Sequence, residues 1–157
     1  MKKFILSAVC FAAVSLMGFD LSSGNFKVSE EGKSKIVAGE KFFSSALRLD
    51  AAGSDKDLTA VYTHKLPFIA GREYELSAEI KGQGTAFLEI AVIGLSGKVY
   101  SRRVATKQAS AKYTDIEGKW DLRKYDLPEL PASVQITIGV TKGSTVTFYD
   151  IELEMEK

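Results

Sequence analysis

Apolar and polar side chains alternate with a period of two along most of this chain. In the segment YELSAEI, the apolar residues Tyr74, Leu76, Ala78 and Ile80 are separated by Glu, Ser and Glu, and the segment VQITIGV repeats the pattern from Val134 onwards. Because consecutive side chains of a β-strand point to opposite faces, this alternation predicts strands that bury one face and expose the other. No segment after residue 24 has a sustained helical pattern, so the sequence predicts an all-β fold.

Turn-forming segments rich in Gly, Pro, Asp and Ser separate the alternating runs, among them AAGSDKD, KGQG and TKGST. The runs predict a β-sandwich jelly roll of about eight antiparallel strands in two sheets. The stretch Lys107–Lys119 has no clear pattern and is predicted to be a loop or an irregular crossover. The predicted strands are Ser45–Asp50, Thr59–Leu66, Glu73–Lys81, Ala86–Gly94, Lys98–Thr106, Trp120–Leu127, Ser133–Thr141 and Thr145–Glu154, with an extra edge strand near Ser34–Val37.

The last predicted strand changes its phase. Val146 and Phe148 have even numbers, whereas the apolar residues after them, from Ile151 on, have odd numbers. A regular strand cannot turn both sets toward the core, so the sequence predicts a β-bulge at Tyr149–Asp150.

The N-terminal segment has the composition of an export signal. Lys2 and Lys3 precede a stretch that carries no charge until Asp20, and this stretch is shorter than the roughly 20 residues that cross a membrane. Small residues just before Asn25 predict cleavage there, which makes residues 1–24 a signal peptide and residues 25–157 a single domain that is secreted or periplasmic. An uncleaved N-terminal anchor is the alternative. Otherwise no membrane contact is expected.

Charge and residue usage exclude several functions. Without Lys2, Lys3 and Asp20, the 21 basic and 20 acidic residues of the chain become 19 of each, with no basic stripe for nucleic acid. His64 is the only histidine and Cys10 lies within the signal segment, so a Ser-His-Asp triad, a histidine metal cluster and thiol catalysis are not predicted. Paired carboxylates such as Glu75 and Glu79 are interpreted as a solvated strand face. No enzymatic activity is expected.

Four segments occur in an order that resembles a known family. They are AGEKFFSSALRL, HKLPFIAGREYELSAEIKG, GKWDLRKYDLPELPASVQITIGV and STVTFYDIELE. This order is similar to that of carbohydrate-binding modules with the galactose-binding-domain-like jelly-roll fold, especially those appended to bacterial xylanases and glucanases. The matching positions are Leu47–Leu49, Pro67, Gly71, Tyr74, Lys81, Trp120, Phe148, Asp150 and Leu153.

The resemblance implies a glycan as the partner and a jelly-roll framework. Modules of that family often hold one structural Ca²⁺, for which Asp150 is a candidate ligand and Glu40 a second one; no cofactor is required. The alternative is that Asp150 only accepts hydrogen bonds from backbone N–H groups at the bulge. The chain lacks the catalytic domain to which such modules are often fused, so a glycoside hydrolase would be a separate partner. The module itself is expected to be a monomer.

The usual jelly-roll connections place the first, third, sixth and eighth predicted strands in one sheet and the other four in the second sheet. Trp120 then begins a strand of the first sheet, and its alternation with Leu122 predicts a side chain in the core rather than a sugar-stacking platform. The second sheet is the one that resembles the ligand-bearing face of the family.

Alternation predicts which residues of the second sheet face outwards. With Val61 turned inwards, Tyr62 and His64 point out, and the other strands contribute polar and aromatic groups. The strand with Tyr100 and Arg102 is ambiguous, since Val99 and Arg103 share its other face, and the first pair is taken as exposed. The predicted ligand-binding residues are Tyr62, His64, Phe87, Glu89, Tyr100, Arg102, Gln135 and Thr137.

Two functions fit this surface. A secreted, non-catalytic carbohydrate-binding module needs an exposed ring beside several polar groups. A structural or adhesion module of the cell envelope, with a protein partner, needs a contiguous apolar patch. A surface that is merely solvated is the third reading.

Overall fold

The computed structural model describes residues 17–21, 23–30, 33–38, 45–70, 72–124 and 127–156. Most of them are in antiparallel strands, with two short 3-10 turns at Ser23–Asn25 and Leu122–Lys124. No helix within these ranges has the length and apolar character needed to cross a membrane. The strands are β1 (Met17–Asp20), β2 (Phe26–Val28), β3 (Ser34–Ala38), β4 (Ser45–Asp50), β5 (Leu58–Tyr62), β6 (Leu66–Pro67), β7 (Glu73–Gly94), β8 (Val99–Ala109), β9 (Thr114–Asp121), β10 (Pro131–Val140) and β11 (Thr145–Glu156).

The strands form two sheets that share β7. Sheet I has the order β9-β7-β11-β4-β3, with β1 on the second half of β11. Sheet II has the order β2-β5-β10-β7-β8, with β6 beside β10. The apolar side chains between the sheets form one continuous core. This is the predicted jelly-roll sandwich. The predicted assignment to sheets is confirmed for seven of the eight predicted strands, and β9 takes the place of the sixth in sheet I.

The segment KGQG was predicted to be a turn, but β7 runs through it as one bent strand of 22 residues. Gly82 and Gly84 have φ values of 151° and 97°, which residues other than glycine rarely adopt. A Cβ at Gly82 would collide with the carbonyl oxygen of Thr145, and one at Gly84 would collide with Ser144. The two glycines therefore permit the bend that carries β7 from sheet I into sheet II.

The prediction of a loop over Lys107–Lys119 was wrong, as was that of a strand over Trp120–Leu127. β8 continues to Ala109, β9 begins at Thr114, and Trp120 lies near the end of β9. Among the described strands, β8 and β9 each pair with β7 alone and expose much of their surface. Edge strands of this kind need few apolar residues, so the alternation is weak there.

Two local predictions are confirmed. The pairing of β11 with β7 shifts between Tyr149 and Glu152, and Asp150 has a φ of 47°, so a bulge lies where the phase of the sequence changes. Trp120 is only 2% exposed and pairs with Tyr74 across β9 and β7, within the core.

Residues 17–21 lie within the segment predicted to be a signal peptide. β1 pairs with β11 from Met17↔Met155 to Asp20↔Glu152, and Leu21 is 1% exposed, with its backbone N–H donating to the carbonyl of Ile151 at 2.8 Å. Signal cleavage near Asn25 stays a prediction.

Candidate functional site

The outer face of sheet II combines polar and aliphatic groups at its centre. In β10, Val134, Ile136 and Ile138 are buried while Gln135 and Thr137 between them are half-buried, because the alternation turns them away from the core. The strand register places one row across this face: Lys27, Val61, Thr137, Glu89 and Arg103.

A cleft of about 510 Å³ opens on the β2–β5–β10 side of sheet II. Backbone contacts fix its walls: Thr63 Oγ1 donates to the carbonyl of Asn25 at 2.8 Å, and the backbone N–H of Thr59 donates to Ser29 Oγ at 3.1 Å. The Gln135 amide has no hydrogen bond with another described residue and so is available to a ligand. The cleft is lined by Lys27, Val28, Ser29, Thr59, Val61, Tyr62, Thr63 and Gln135.

Phe87 points out of sheet II but is only 1% exposed. Its ring lies over Gly139, where any Cβ would collide with it. The Arg103 guanidinium covers the other side, with its central carbon 3.7 Å from the ring centroid, and Arg103 Nη2 lies 3.8 Å from Asp57 Oδ2. Phe87 is therefore a covered ring and offers no stacking platform in this arrangement.

The orientations predicted for β10 and for Glu89 agree with the structure, since Gln135, Thr137 and Glu89 share the outer face. Phe87 also turns outwards, but its predicted exposure was wrong. The prediction for β5 was reversed: Val61 faces outwards, because Leu58 and Ala60 are the buried residues of that strand.

Tyr62 therefore shares the core side of β5. Its ring packs 5.3 Å from that of Phe26 by centroid distance, and the side chain is only partly buried and lines the cleft. His64 lies exposed just beyond β5, with its ring centroid 5.5 Å from that of Tyr62. Tyr62 thus lines the cleft, and His64 lies beside Tyr62.

The strand phase chosen for Tyr100 and Arg102 was wrong, although Arg102 is exposed on this edge strand, as predicted, and Tyr100 is half-buried. They pair with Val92 and Ile90, which point inwards, whereas Arg103 pairs with Glu89 on the outer face. A bulge between Leu88 and Glu89 sets this phase, and nothing in the local sequence marks it. Tyr100 instead donates its hydroxyl to Glu129 Oε1 at 2.9 Å. That any of the eight predicted residues binds a ligand stays a prediction.

Several residues of the cleft were not predicted from the sequence. Lys27 belongs to β2, which has three residues and shows no alternation. Thr59 shares its face with Val61, and was missed because the phase of β5 was reversed. A correct phase was available from Leu58, which is apolar and precedes the predicted start of that strand.

The bulge at Asp150 borders a second, smaller cavity of about 250 Å³ on the outer face of sheet I. Glu79, Asp115, Glu117 and Glu152 also line it. Burial raises the pKa of Glu152, and the negative charges of Asp150, Glu154 and Asp20 add to this effect. Glu40, the other predicted calcium ligand, lies outside the described residues.

Another acidic cluster on sheet I already contacts a lysine. The carboxylates of Glu75, Glu154 and Glu156 lie within 4.8 Å of one another. Lys119 Nζ is 2.6 Å from Glu75 Oε2 and 3.9 Å from Glu156 Oε2, so a lysine supplies the positive charge there. These carboxylates raise the pKa of Lys119, chiefly through the hydrogen bond with Glu75.

No family model matches the sequence, and no curated protein matches it. Solved structures share its fold. The CBM22-1 xylan-binding domain of Paenibacillus barcinonensis Xyn10C has a TM-score of 0.62 at 13% identity, with 92% of this chain and 97% of that chain covered. The family 11 carbohydrate-binding module of the Clostridium thermocellum cellulase Lic26A-Cel5E has a TM-score of 0.58 at 19% identity, with 90% and 95% covered.

A third structure contains a catalytic module as well. It is that of the CBM22-1 and GH10 modules of Clostridium thermocellum xylanase 10B with xylohexaose, with a TM-score of 0.62 at 16% identity. The match covers 89% of this chain and 28% of that chain. At such identities the likeness shows the fold, which is the galactose-binding-like jelly roll of carbohydrate-binding modules.

Proposed function

We propose that this protein is a non-catalytic carbohydrate-binding module that holds a glycan in the cleft of sheet II. The observation that carries the proposal is the open cleft of about 510 Å³, in which an unbonded amide, hydroxyl groups and a tyrosine ring surround the aliphatic Val61. Solved proteins with this fold include a xylan-binding domain and a pair of CBM22-1 and GH10 modules complexed with xylohexaose, which supports a glycan as the ligand class.

The chemistry of the cleft suits a sugar. A sugar ring presents apolar C–H faces and a rim of hydroxyl groups, each of which donates and accepts hydrogen bonds. The Gln135 amide supplies a donor and an acceptor, and the hydroxyl of Thr59 does the same. Val61 and the exposed part of Tyr62 provide the apolar contact.

The outer face of sheet II favours binding over hydrolysis. Most glycosidases need two carboxyl groups on either side of the scissile bond. Among the described residues of the central row, Glu89 carries the one carboxylate, and Asp57 at the rim is held by Arg103 and by the backbone N–H of Lys142 at 3.2 Å. We further propose that the module acts outside the cytoplasm, as the N-terminal segment predicts.

The test is retention on xylan, mixed-linkage β-glucan and galactan in affinity gels. We expect retention of the wild type by at least one of them and its loss in Gln135→Ala. Tyr62→Ala should weaken binding by about 1–3 kcal/mol, the scale of an aromatic stacking contact. Gln108→Ala removes an exposed amide outside the cleft and serves as the matched control, and melting curves confirm that each variant is folded. Unchanged retention of folded Gln135→Ala and Tyr62→Ala would move the site away from this cleft.

A protein partner is the second candidate, because one end of the sandwich exposes apolar side chains. Leu95, Val99 and Leu130 are 69%, 52% and 72% exposed. Leu95 and Leu130 are neighbours, since the backbone N–H of Leu95 donates to the carbonyl of Leu130 at 2.9 Å. Failure to bind any glycan, together with co-purification of an envelope protein that Leu130→Ser abolishes, would favour this alternative.

A further inference from the structure

Sheet I carries a row of cations on its outer face. The strand register pairs Lys35 of β3 with Arg48 of β4, Arg48 with Thr147 of β11, and Thr147 with Lys81 of β7. We call Lys35, Arg48, Thr147 and Lys81 the cationic row. Because neighbouring strands lie about 4.8 Å apart, the row crosses four strands over roughly 14 Å.

Two of these cations are placed where their charges repel each other. Lys35 and Arg48 are directly opposite across a strand pair, an arrangement that destabilises a sheet. Neither forms a salt bridge with another described residue. Elsewhere in sheet I the fold does pair its charges, since Lys119 contacts Glu73 and Glu75 at 3.5 and 2.6 Å. Lys35 and Arg48, both exposed, therefore present positive charge to solvent.

A groove of about 470 Å³ follows the β4–β11–β7 part of this row. The described residues that line it include no carboxylate. They are Arg48, Lys81, Gly82, Gln83, Ala111, Thr145 and Thr147. The nearby Asp50 carboxylate is already bonded, because Thr145 Oγ1 donates to it at 2.9 Å and the backbone N–H of Ala52 at 3.0 Å. At one side of the groove, Lys81 Nζ lies 5.0 Å from the centroid of the Tyr113 ring.

We propose that the cationic row binds an acidic polysaccharide through its carboxylate or sulfate groups, on the sheet opposite the cleft. Guanidinium and ammonium groups bind such oxyanions through charge-assisted hydrogen bonds, and the Gln83 amide and Thr147 hydroxyl add donors. The Tyr113 ring beside Lys81 offers an apolar surface to a sugar ring.

A polysaccharide fits this surface better than a nucleic acid does. Asp50 and Glu79 lie on the same face, two residues along the strand from Arg48 and from Lys81. Carboxylates therefore flank the row on both sides. A duplex, with one negative charge per roughly 1.7 Å of axis, would bring phosphates against these carboxylates. A polymer with one acidic group per one or two sugars can align its charges with the row alone.

The probes are polygalacturonate for carboxylates, dextran sulfate for sulfates, neutral dextran and a DNA duplex, with Kd measured at several NaCl concentrations. We expect the wild type to bind at least one of the two acidic polymers and to leave neutral dextran unbound. Lys35→Gln/Arg48→Gln should weaken that binding roughly tenfold at low salt. The slope of log Kd against log salt should fall by about one per cation removed. Lys56→Gln and Lys142→Gln, exposed lysines outside the row, are the matched controls.

Absence of binding to both acidic polymers would overturn the proposal, as would equal losses in the row variant and the controls. DNA bound as tightly as the acidic polymer would show a surface that responds to charge alone, and would also overturn it. The result is separable from the proposed function, because Gln135→Ala should leave acidic-polymer binding unchanged.

Discussion

At the scale of the residue, Trp120 anchors the edge strand β9 to the core of the sandwich. Its ring is buried beside Tyr74, its cross-strand neighbour. The Tyr74 hydroxyl accepts a hydrogen bond from the backbone N–H of Ile69 at 2.8 Å, which holds the segment before β7 against the sandwich. Burial raises the pKa of Tyr74, so this hydroxyl stays protonated. Both residues thus serve the framework of the domain.

Trp120→Ala should destabilise the domain by about 3–5 kcal/mol, the usual cost of truncating a buried large aromatic side chain. Chemical denaturation followed by circular dichroism measures this difference. Val99→Ala, at an exposed apolar position, is the control and should change the midpoint little. An unchanged midpoint for Trp120→Ala would mean that the ring contributes no core packing.

Asp50 gives the fold a dependence on acid pH. The backbone N–H of Ala52 and the Thr145 hydroxyl both donate to its carboxylate and lower its pKa. A carboxyl group whose pKa is lower in the folded state stabilises the fold above its unfolded pKa of about 3.9, and this contribution is lost as the pH falls through the folded value. Asp50→Asn should therefore lose less stability than the wild type between neutral pH and pH 3. Parallel loss in both proteins, measured by urea unfolding, would contradict this role.

At the scale of the element, β7 organises the sandwich. Its first half pairs with β9 and β11 and its second half with β10 and β8, so one strand lies in both sheets. The bend near Gly84 packs on Ser144, whose Oγ accepts a hydrogen bond from the backbone N–H of Thr85 at 2.9 Å. The relative position of the cleft on sheet II and the cationic row on sheet I depends on this bend.

Gly84→Ala should destabilise the domain by more than about 1–3 kcal/mol, because it adds a collision with Ser144 to the strain of a positive φ. Gly97→Ala separates the two effects, since Gly97 has a φ of 83° but nothing near its Cβ position. Gly53→Ala tests neither effect and is the control. Equal melting temperatures for the Gly84 and Gly97 variants would show that the close packing at the bend is unimportant.

The bulge in β11 is the element on which the calcium prediction depends. Asp150 is turned out at a φ of 47° beside Glu152 and Glu79, and carboxylate oxygens are the ligands that Ca²⁺ prefers. We expect EDTA to lower the melting temperature of the wild type but not of Asp150→Asn. Identical melting curves of the wild type with Ca²⁺ and with EDTA would mean that no stabilising Ca²⁺ binds at Asp150.

At the scale of the whole molecule, the sequence predicts the sandwich well because core segments such as β10 and the first half of β7 alternate regularly. The sequence predicts less well which residues face outwards, because a bulge or a one-residue shift reverses the alternation of a strand. In β5 the buried residues are Leu58 and Ala60, so a prediction that starts the alternation one residue later turns Val61 inwards and Tyr62 outwards, the reverse of the structure. The bulge opposite Glu89 and the coverage of Phe87 by Arg103 are tertiary effects, which no local pattern encodes.

The N-terminal strand provides the last test, because it joins the predicted signal segment to the folded domain. β1 extends sheet I along β11, and Leu21 fills the core beside it. A protein of residues 25–157 loses this strand and leaves a cavity where Leu21 was, so we expect it to be less stable than residues 17–157 by at least the roughly 2–5 kcal/mol of a buried leucine truncation. Leu21→Ala in the longer protein isolates the side chain, and Lys27→Ala is an exposed control. N-terminal sequencing of the exported protein shows which form exists. Equal stability of the two lengths would mean that β1 adds nothing to the domain and that cleavage near Asn25 leaves the sandwich complete.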